Sequence, residues 1–236
     1  MSGAADEGRR FDRFHADYDE ALSRGISVSG EGKLYFARGR VEFLARCLRE
    51  AGARPRAVLD FGCGTGSATP FFLDLLGVER VVGVDVSERS LEVARRDHGS
   101  ERAQFVALED FQPDGTFPLA FCNGVFHHVR PEERGGVVDL LRRSLAPGGH
   151  FALWDNNPWN PGARYVMWRI PFDRDASMLS ARQAARVLDR GGLEVRRTDY
   201  LFVFPRLLKA LRGLEPALAR APLGAQYQVL CRRPEA

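Results

Sequence analysis

Alternating glycines mark the first place in this sequence where chemistry is expected. Gly62, Gly64 and Gly66 directly follow the apolar run AVLDF and precede a segment with helical character. A strand that ends in such a loop points backbone N–H groups and the positive end of a helix at a ligand, and glycine lets that ligand approach closely. Asp60 stands in the same run, and Asp85 ends the next one, RVVGVD. The pattern predicts a site for a nucleotide-like ligand whose ribose hydroxyls reach Asp85.

The spacing argues against a dinucleotide as that ligand. The dinucleotide motif G-x-G-x-x-G/A requires glycine or alanine at a position that Ser67 or Thr69 occupies here, depending on which glycine pair is used. An acidic residue at position 60 is also unfavourable beside a pyrophosphate, whereas it attracts a ligand that carries an amino group.

The sequence D-x-G-x-G-x-G, followed by an acidic end of the second strand, resembles the class I S-adenosylmethionine-dependent methyltransferase family, of the type that acts on small molecules. The resemblance covers most of residues 55–155. It implies S-adenosyl-L-methionine as the cofactor, and it implies cofactor contacts from Asp60, Gly62, Cys63, Gly64, Gly66, Asp85, Val86 and Asn123. Asp85 would bind both ribose hydroxyls, and Val86 would flank the adenine.

Two further cofactor contacts follow from the same resemblance. Either Glu109 or Asp110, after the third strand, would accept a hydrogen bond from the adenine amino group. Tyr18 lies in the helical segment that precedes the first strand, and helices there often cover the cofactor in this family. Tyr18, Tyr35 or Arg40 could therefore close over the cofactor carboxylate, although the segment could equally serve only to pack on the sheet.

The run FCNGVFHHV, residues 121–129, is similar to the family's fourth strand and supplies the candidate catalytic residue. An imidazole is the commonest general base for deprotonating a hydroxyl or an amine. His127 can face the cleft as that base or pack structurally, and both alternatives stay open, whereas His128, beside Val129, is expected to pack inward. Asp155, after the fifth strand, is the second choice of base or the orienting partner of His127.

The segment 154–176 contains all three tryptophans and follows the fifth strand, at the edge where open α/β sheets bind their ligands. It is expected to form the acceptor pocket, with contacts from Asn156, Trp159, Tyr165, Trp168 and Arg169. These side chains suit an anionic or an apolar acceptor. The alternative is that the prolines and aromatic residues only pin a long loop.

The elements that must position these residues are strands and helices in alternation from residue 57 onward. This pattern predicts an α/β fold with a doubly wound, mostly parallel sheet. The resemblance implies seven strands, with the last, AQYQVLCRRP, antiparallel. We expect one domain over residues 1–236, with a helical lid (1–50), a cofactor-binding half (51–155) and an acceptor-side half (156–236). A leucine-rich helix from Pro205 to about Arg220 is expected to present a core stripe.

The composition argues against several classes of binding partner. The net charge of the 236 residues is only +3, and no basic stripe is present, so nucleic acid is not expected as a partner. No run of about 18 apolar residues indicates a membrane span. The four cysteines are scattered without paired spacing, so we expect neither a metal site nor disulfides, and a cytoplasmic location fits best. The sequence leaves the oligomeric state open.

These observations predict an enzyme that methylates O, N or C of a small-molecule acceptor, in specialised, cofactor or lipid biosynthesis. One alternative is a cyclase or isomerase that keeps the cofactor fold, and another is a cofactor-binding regulatory subunit without catalysis. The intact glycine loop, Asp85 and His127 argue against the regulatory subunit. Nothing in the sequence separates methyl transfer from the cyclase.

Overall fold

A computed structural model describes residues 24–171, 173–174 and 176–235 of the chain. Its strands are β1 (Ala57–Phe61), β2 (Arg80–Asp85), β3 (Ala103–Ala107), β4 (Phe117–Asn123), β5 (Leu145–Asn156), β6 (Glu194–Leu201) and β7 (Gln226–Arg232). They form one sheet in the order β3-β2-β1-β4-β5-β7-β6. The first five strands pair in parallel, and β7 is antiparallel to both β5 and β6. The predicted doubly wound, mostly parallel sheet with an antiparallel last strand is therefore confirmed.

Helices and helical turns connect the strands. The α-helices are α1 (Lys33–Glu50), α2 (Thr69–Phe71), α3 (Glu88–His98), α4 (Arg134–Ser144), α5 (Pro161–Arg169), α6 (Ala181–Arg190) and α7 (Glu215–Leu218). A π-helical turn, Phe72–Leu76, continues α2, and 3-10 segments cover Ser27–Ser29 and Arg206–Leu214. In the described part of the chain, no helix is both long and apolar enough to span a lipid bilayer.

The core lies in two hydrophobic clusters, one on each face of the sheet. Val58 and Val81 belong to the cluster that includes side chains of α1 and α3. Leu59 and Val82, their neighbours in the chain, belong to the cluster that includes side chains of α4 and α6. Successive side chains of a strand point to opposite faces, so strands buried on both faces must be apolar almost throughout. This burial explains the uninterrupted apolar runs and holds the carboxyl ends of the strands at a common edge.

The strand order reverses between β1 and β4: β2 and β3 follow on one side of β1, and β4 and β5 follow on the other. β1 pairs with β2 on one side and with β4 on the other. Ligands of open α/β sheets bind outside the carboxyl ends of the strands at such a switch point. The glycine loop after β1 and the segments that follow β2 and β4 all meet there.

Two expectations about the second half are wrong. Residues 154–176 are not one irregular loop, because α5 occupies their centre and Trp154 is fully buried in β5. The leucine-rich segment is a 3-10 helix followed by the short α7, and its leucines do not form a core stripe: Leu207 is 92% exposed. With three residues per turn, Leu208, Leu211 and Leu214 share one face, but they are 44%, 42% and 55% exposed, so this face is not part of the core.

Candidate functional site

The loop after β1 is fastened to the end of β2. The backbone N–H groups of Gly62 and Cys63 both donate to the carbonyl oxygen of Val84, at 2.7 and 3.1 Å. Gly62 has a φ of +73°, and a Cβ there would stand 2.2 Å from Cγ2 of Val125, so only glycine fits. Gly64 also has a positive φ, +52°, but nothing lies within 4 Å of its Cβ position. Its open side allows a ligand to approach the backbone.

Cys63 and Gly66 shape the loop from the core side. A Cβ on Gly66 would stand 3.1 Å from the ring of Phe105, and the sulfur of Cys63 lies close to Gly83. Burial raises the pKa of the Cys63 thiol well above its usual range, so the side chain stays neutral. Contacts to a ligand from these two residues can therefore come only from the backbone.

Asp85 closes the loop at the end of β2. Its Oδ2 accepts from the backbone N–H of Gly64 at 2.8 Å, and its Oδ1 accepts from that of Ser87 at 2.9 Å. Each carboxylate oxygen has a second lone pair, so both oxygens can still accept a hydroxyl hydrogen. The position fits the predicted binding of two ribose hydroxyls.

A cavity of about 470 Å³ opens over the carboxyl ends of β1, β2 and β4. Five of the predicted cofactor residues line it: Gly62, Gly64, Asp85, Val86 and Asn123. The apolar part of the wall includes Leu108, Val125, Val129, Val137 and Leu140. Among the described residues, no lysine or arginine lines this cavity, whereas Asp85, Glu132 and Glu133 do. The cavity thus combines apolar walls with an acidic lining.

Asp60, Cys63 and Gly66 lie outside the lining of this cavity, and so do the two acidic residues predicted to bind the adenine. Glu109 and Asp110 are exposed and lie outside its lining, where Leu108 takes their place. The backbone turns directly after β3, with the N–H of Asp110 donating to the carbonyl of Ala107 at 3.0 Å, and this turn carries the two acidic side chains toward solvent. The expected hydrogen bond from the adenine to one of them is thus not supported by the geometry. Tyr18 lies outside the described residues.

Asp60 and Arg40 bring opposite charges into the protein interior next to the glycine loop. They are 3% and 9% exposed. Burial, with repulsion from Asp85, raises the pKa of Asp60 to about 7, although Arg40 opposes the rise. Burial also lowers the pKa of Arg40 to about 10, so the guanidinium stays protonated at neutral pH. Arg40 donates to Oε1 of Gln226 at 2.9 Å, while its buried Nε has no hydrogen-bond partner.

His127 is buried between two carboxyl groups. Its Nδ1 lies 2.5 Å from Oδ1 of Asp155, and its Nε2 lies 3.6 Å from Oδ1 of Asp173. Burial alone would lower the pKa of His127, but the two aspartates outweigh it and raise the pKa to about 10. The imidazole is therefore charged at neutral pH and has no lone pair available to accept a substrate proton.

The orientation of the two histidines is the reverse of that considered from the sequence. His128, expected to pack inward, lines the cavity, and His127, considered as a base in the cleft, is only 3% exposed. The reason is Asp173, which arrives from the segment after α5 and lies 3.1 Å from Nε2 of His128. Asp155, also buried, occupies the place of an orienting partner for His127. A catalytic role of His127 or Asp155 stays a prediction.

The residues predicted for the acceptor pocket do not line this cavity. Trp159 and Trp168 are 74% and 62% exposed, and the Arg169 guanidinium lies 5.9 Å from the ring centre of the exposed Tyr165. α5 buries Ala163 and Met167 and turns its aromatic side chains outward. Asn156, half-buried, accepts from Nε2 of Gln226 at 3.3 Å.

Sequence reasoning missed Asp173 and the cavity wall on α4. Val137 and Leu140 are three residues apart on that helix, a spacing that indicates a common face but not what the face covers. Asp173 gives no local signal, since its two histidine partners come from a distant part of the chain.

Comparison with known proteins adds evidence on the family. A family model described as a methyltransferase domain matches residues 58–149. The chain is 30% identical to ubiquinone biosynthesis O-methyltransferase from Alkalilimnicola ehrlichii over 186 residues, which are 71% of this chain and 72% of that protein. It is 33% identical to trans-aconitate 2-methyltransferase from Acidovorax over 137 residues, 58% of this chain and 49% of the relative, and so spans about half the length of that relative.

A solved structure supports the fold. The S-adenosylmethionine-dependent methyltransferase from Mesorhizobium loti superposes with a TM-score of 0.56 at 21% identity, over 76% of this chain and 91% of that one. The site itself fits S-adenosylmethionine, because Gly64 leaves room over the loop and Asp85 retains acceptor capacity for ribose hydroxyls. The predicted cofactor and fold are confirmed at the level of the family. The chain belongs to the class I S-adenosylmethionine-dependent methyltransferase family.

Proposed function

We propose that this protein transfers the methyl group of S-adenosylmethionine to a small-molecule acceptor. The observation that carries the proposal is the cavity over β1, β2 and β4, in which the open Gly64 and the carboxylate of Asp85 face the same space. The bound cofactor supplies an electrophilic methyl group on a cationic sulfonium. The protein has to hold that group and an acceptor in line.

The charge of the cavity supports a cationic ligand. Its described lining contains acidic side chains and no lysine or arginine, and Asp60 lies buried next to the loop. Arg130 contacts Glu132 and Glu133 from outside the lining and offsets their charge in part. With these carboxyl groups at the site and no lysine or arginine in the described lining, a pyrophosphate there would be repelled and a sulfonium or ammonium attracted.

We assign different residues of the cavity to different parts of the cofactor. Asp85 would accept the two ribose hydroxyls, and Val86 with Leu108 would flank the adenine as apolar contacts. Asn123 offers an amide at the end of β4. We place His127 and Asp155 as positioning residues beside the cavity, since both are buried and hydrogen-bonded to each other. Much of the rate would then come from proximity and orientation, with a base needed only for an acceptor that arrives protonated.

A small molecule is the acceptor class that the relatives support. The names of two of them specify trans-aconitate and a step of ubiquinone biosynthesis, an organic acid and a quinone pathway. Acidic and phenolic compounds are therefore the first acceptors to test, before amines and activated carbons.

The test supplies S-adenosylmethionine labelled in its methyl group, together with a panel of carboxylic acids, phenols and amines, and follows label in the product. Wild type should transfer label to at least one acceptor class, and Asp85→Ala should lose transfer through loss of cofactor binding. Trp159→Ala is the matched control for cofactor binding, because that side chain is 74% exposed and away from the cavity lining. Calorimetry should show binding of S-adenosylmethionine and not of NAD. Tight cofactor binding without transfer to any acceptor would overturn methyl transfer and favour a cyclase or a regulatory subunit.

A further inference from the structure

Three metal-ligating side chains meet beside the cofactor cavity. Oδ1 of Asp173 lies 3.1 Å from Nε2 of His128 and 3.6 Å from Nε2 of His127. The ligand atoms of these three residues all lie within 4.8 Å of one another. We propose that this cluster binds a divalent transition-metal ion of the zinc type.

The distances fit a common ion. Donors at about 2.0–2.2 Å from a tetrahedral ion stand about 3.3–3.6 Å apart, and donors at right angles on an octahedral ion stand about 2.8–3.1 Å apart. The separations from Asp173, 3.6 and 3.1 Å, lie within the range that these two geometries span, so a small shift of the side chains would bring them to either one. The two imidazoles, whose ring centres are 4.2 Å apart, would also have to adjust around the ion.

The donor set selects the class of metal. Two imidazole nitrogens and one carboxylate suit zinc, cobalt, iron or nickel, whereas magnesium and calcium prefer oxygen ligands. Three protein ligands also leave at least one coordination position for water or another oxygen donor.

Asp155 orients one of the three proposed ligands, His127. Nδ1 of His127 lies 2.5 Å from Oδ1 of Asp155, which fixes the ring so that Nε2 faces Asp173. A carboxylate on the far nitrogen of a metal-bound histidine is the usual way in which proteins orient such a ligand. Oδ2 of Asp155 is buried and has no hydrogen-bond partner, so two buried carboxyl groups face the two imidazoles without full compensation. A divalent cation would supply the missing positive charge.

The position of the cluster indicates what an ion would do. The backbone N–H of Ser177 donates to the carbonyl of His127 at 2.9 Å, and Nη2 of Arg134 donates to the carbonyl of Ser177 at 3.1 Å. These bonds already hold the segment that carries Asp173 against the end of β4. An ion would add a stronger link between that segment and the two histidines and would release the proton of His127 Nε2 to the buffer. It would thereby stiffen the wall that His128 presents to the cavity.

Cobalt(II) is the probe, because its visible absorption reports nitrogen ligation directly. Untagged protein, first treated with a chelator and dialysed, should bind one equivalent of cobalt(II) with d–d bands and a rise in melting temperature. Asp155→Asn should weaken cobalt(II) binding about 10–100-fold, and His128→Gln and Asp173→Asn at least as much. His150→Gln is the matched control: His150 pairs with Leu119 within the sheet, five residues before Asp155 along β5 and outside the cluster, so this variant should bind like wild type.

The outcomes separate cleanly. Failure of the wild type to bind one equivalent saturably, or unchanged binding by both His128→Gln and Asp173→Asn, would overturn the proposal. Circular dichroism shows whether each variant folds, and if Asp173→Asn does not, the partly exposed His128→Gln decides. Calorimetry of S-adenosylmethionine on the metal-free protein is independent of the cobalt titration, so failure here leaves the proposed methyl transfer standing, and failure of methyl transfer leaves the metal site standing.

Discussion

Asp60→Asn tests whether the buried carboxyl group next to the glycine loop lowers the free energy of unfolding of the cofactor-free protein. The side chain is 3% exposed, and the amide of asparagine has nearly the same shape without the charge. At pH 5 the wild-type carboxyl is mostly protonated in the folded state, so the two proteins carry similar groups there. At pH 8 only the wild type has to hold a buried carboxylate.

The size of the effect follows from the two pKa values. In the folded protein the pKa of Asp60 is raised from the ordinary 3.8 to about 7, first by burial and then by Asp85. Because the folded pKa is the higher one, the stability contributed by the protonated group is complete below the unfolded pKa and is lost as the pH rises through about 7. The full loss is about 4 kcal/mol, and the part between pH 5 and pH 8 is about 2.5 kcal/mol.

Urea denaturation at pH 5, 6, 7 and 8 measures this difference. The free energy of unfolding of Asp60→Asn minus that of the wild type should grow by about 2.5 kcal/mol from pH 5 to pH 8, while other titrating groups cancel. Asp74→Asn, at an exposed position on the π-helical turn, is the control and should follow the wild-type curve. Parallel curves for Asp60→Asn and wild type would refute the argument, since the carboxyl would then titrate alike in both states.

The same charge links pH to cofactor binding. An ionised Asp60 attracts the cationic cofactor, and a protonated Asp60 does not, so the affinity of the wild type for S-adenosylmethionine should fall as the pH drops below about 7. Asp60→Asn should bind more weakly at pH 8 and lose this dependence on pH. Calorimetry at pH 6 and pH 8 on both proteins decides it, and an equal slope for both would assign the dependence to another group.

Four further substitutions test the site. Asp85→Ala should weaken S-adenosylmethionine binding by about 2–3 kcal/mol in calorimetry, because two charge-assisted hydrogen bonds are lost; unchanged affinity would contradict the assigned role. Gly62→Ala should lower the free energy of unfolding by about 2–4 kcal/mol, since its methyl group would meet Val125, whereas Gly64→Ala should cost only about 1–2 kcal/mol in urea denaturation and act chiefly on cofactor affinity. Trp159→Ala should change stability by no more than about 0.5 kcal/mol and leave cofactor affinity unchanged; a large thermal shift would show that the indole packs.

The cofactor side of the site could be predicted because its determinants are local. Gly62 and Gly64 have positive φ values, and Asp85 ends the neighbouring strand. The strand, the turn and the acidic residue can therefore all be recognised within one short part of the sequence. Pairing of β1 with β2 in parallel then brings that acid to the loop without any further information.

The histidines show where local reading ends. His127 and His128 leave the end of β4 in a turn, where side chains do not alternate as they do in a strand, so the sequence cannot say which ring faces the cavity. Their orientation is set by Asp155 and Asp173, which arrive from the end of β5 and from the segment after α5.

The sequence contains a helix signal in the aromatic segment 154–176, although no helix was predicted there. Asn160 and Pro161 form a helix start, with Oδ1 of Asn160 accepting from the backbone N–H of Ala163 at 2.9 Å. Asparagine at the N-cap followed by proline in the first turn is a strong helix signal. The prediction of an acceptor pocket rested instead on the concentration of tryptophan, but Trp168 lies on the exposed side of the helix.

The acidic groups along the carboxyl edge of the sheet explain why a cationic ligand suits this fold. Asp85 accepts from two backbone N–H groups, and His127 and His128 lower the pKa of Asp173 despite its burial. Among the described residues, Arg40 is the charge that opposes the rise in the pKa of Asp60, which still reaches about 7. A carboxyl group whose ionisation is unfavourable in the cofactor-free protein thus lies next to the loop that receives the cofactor. A positive charge placed there would stabilise its ionised form, whereas a phosphate would oppose it.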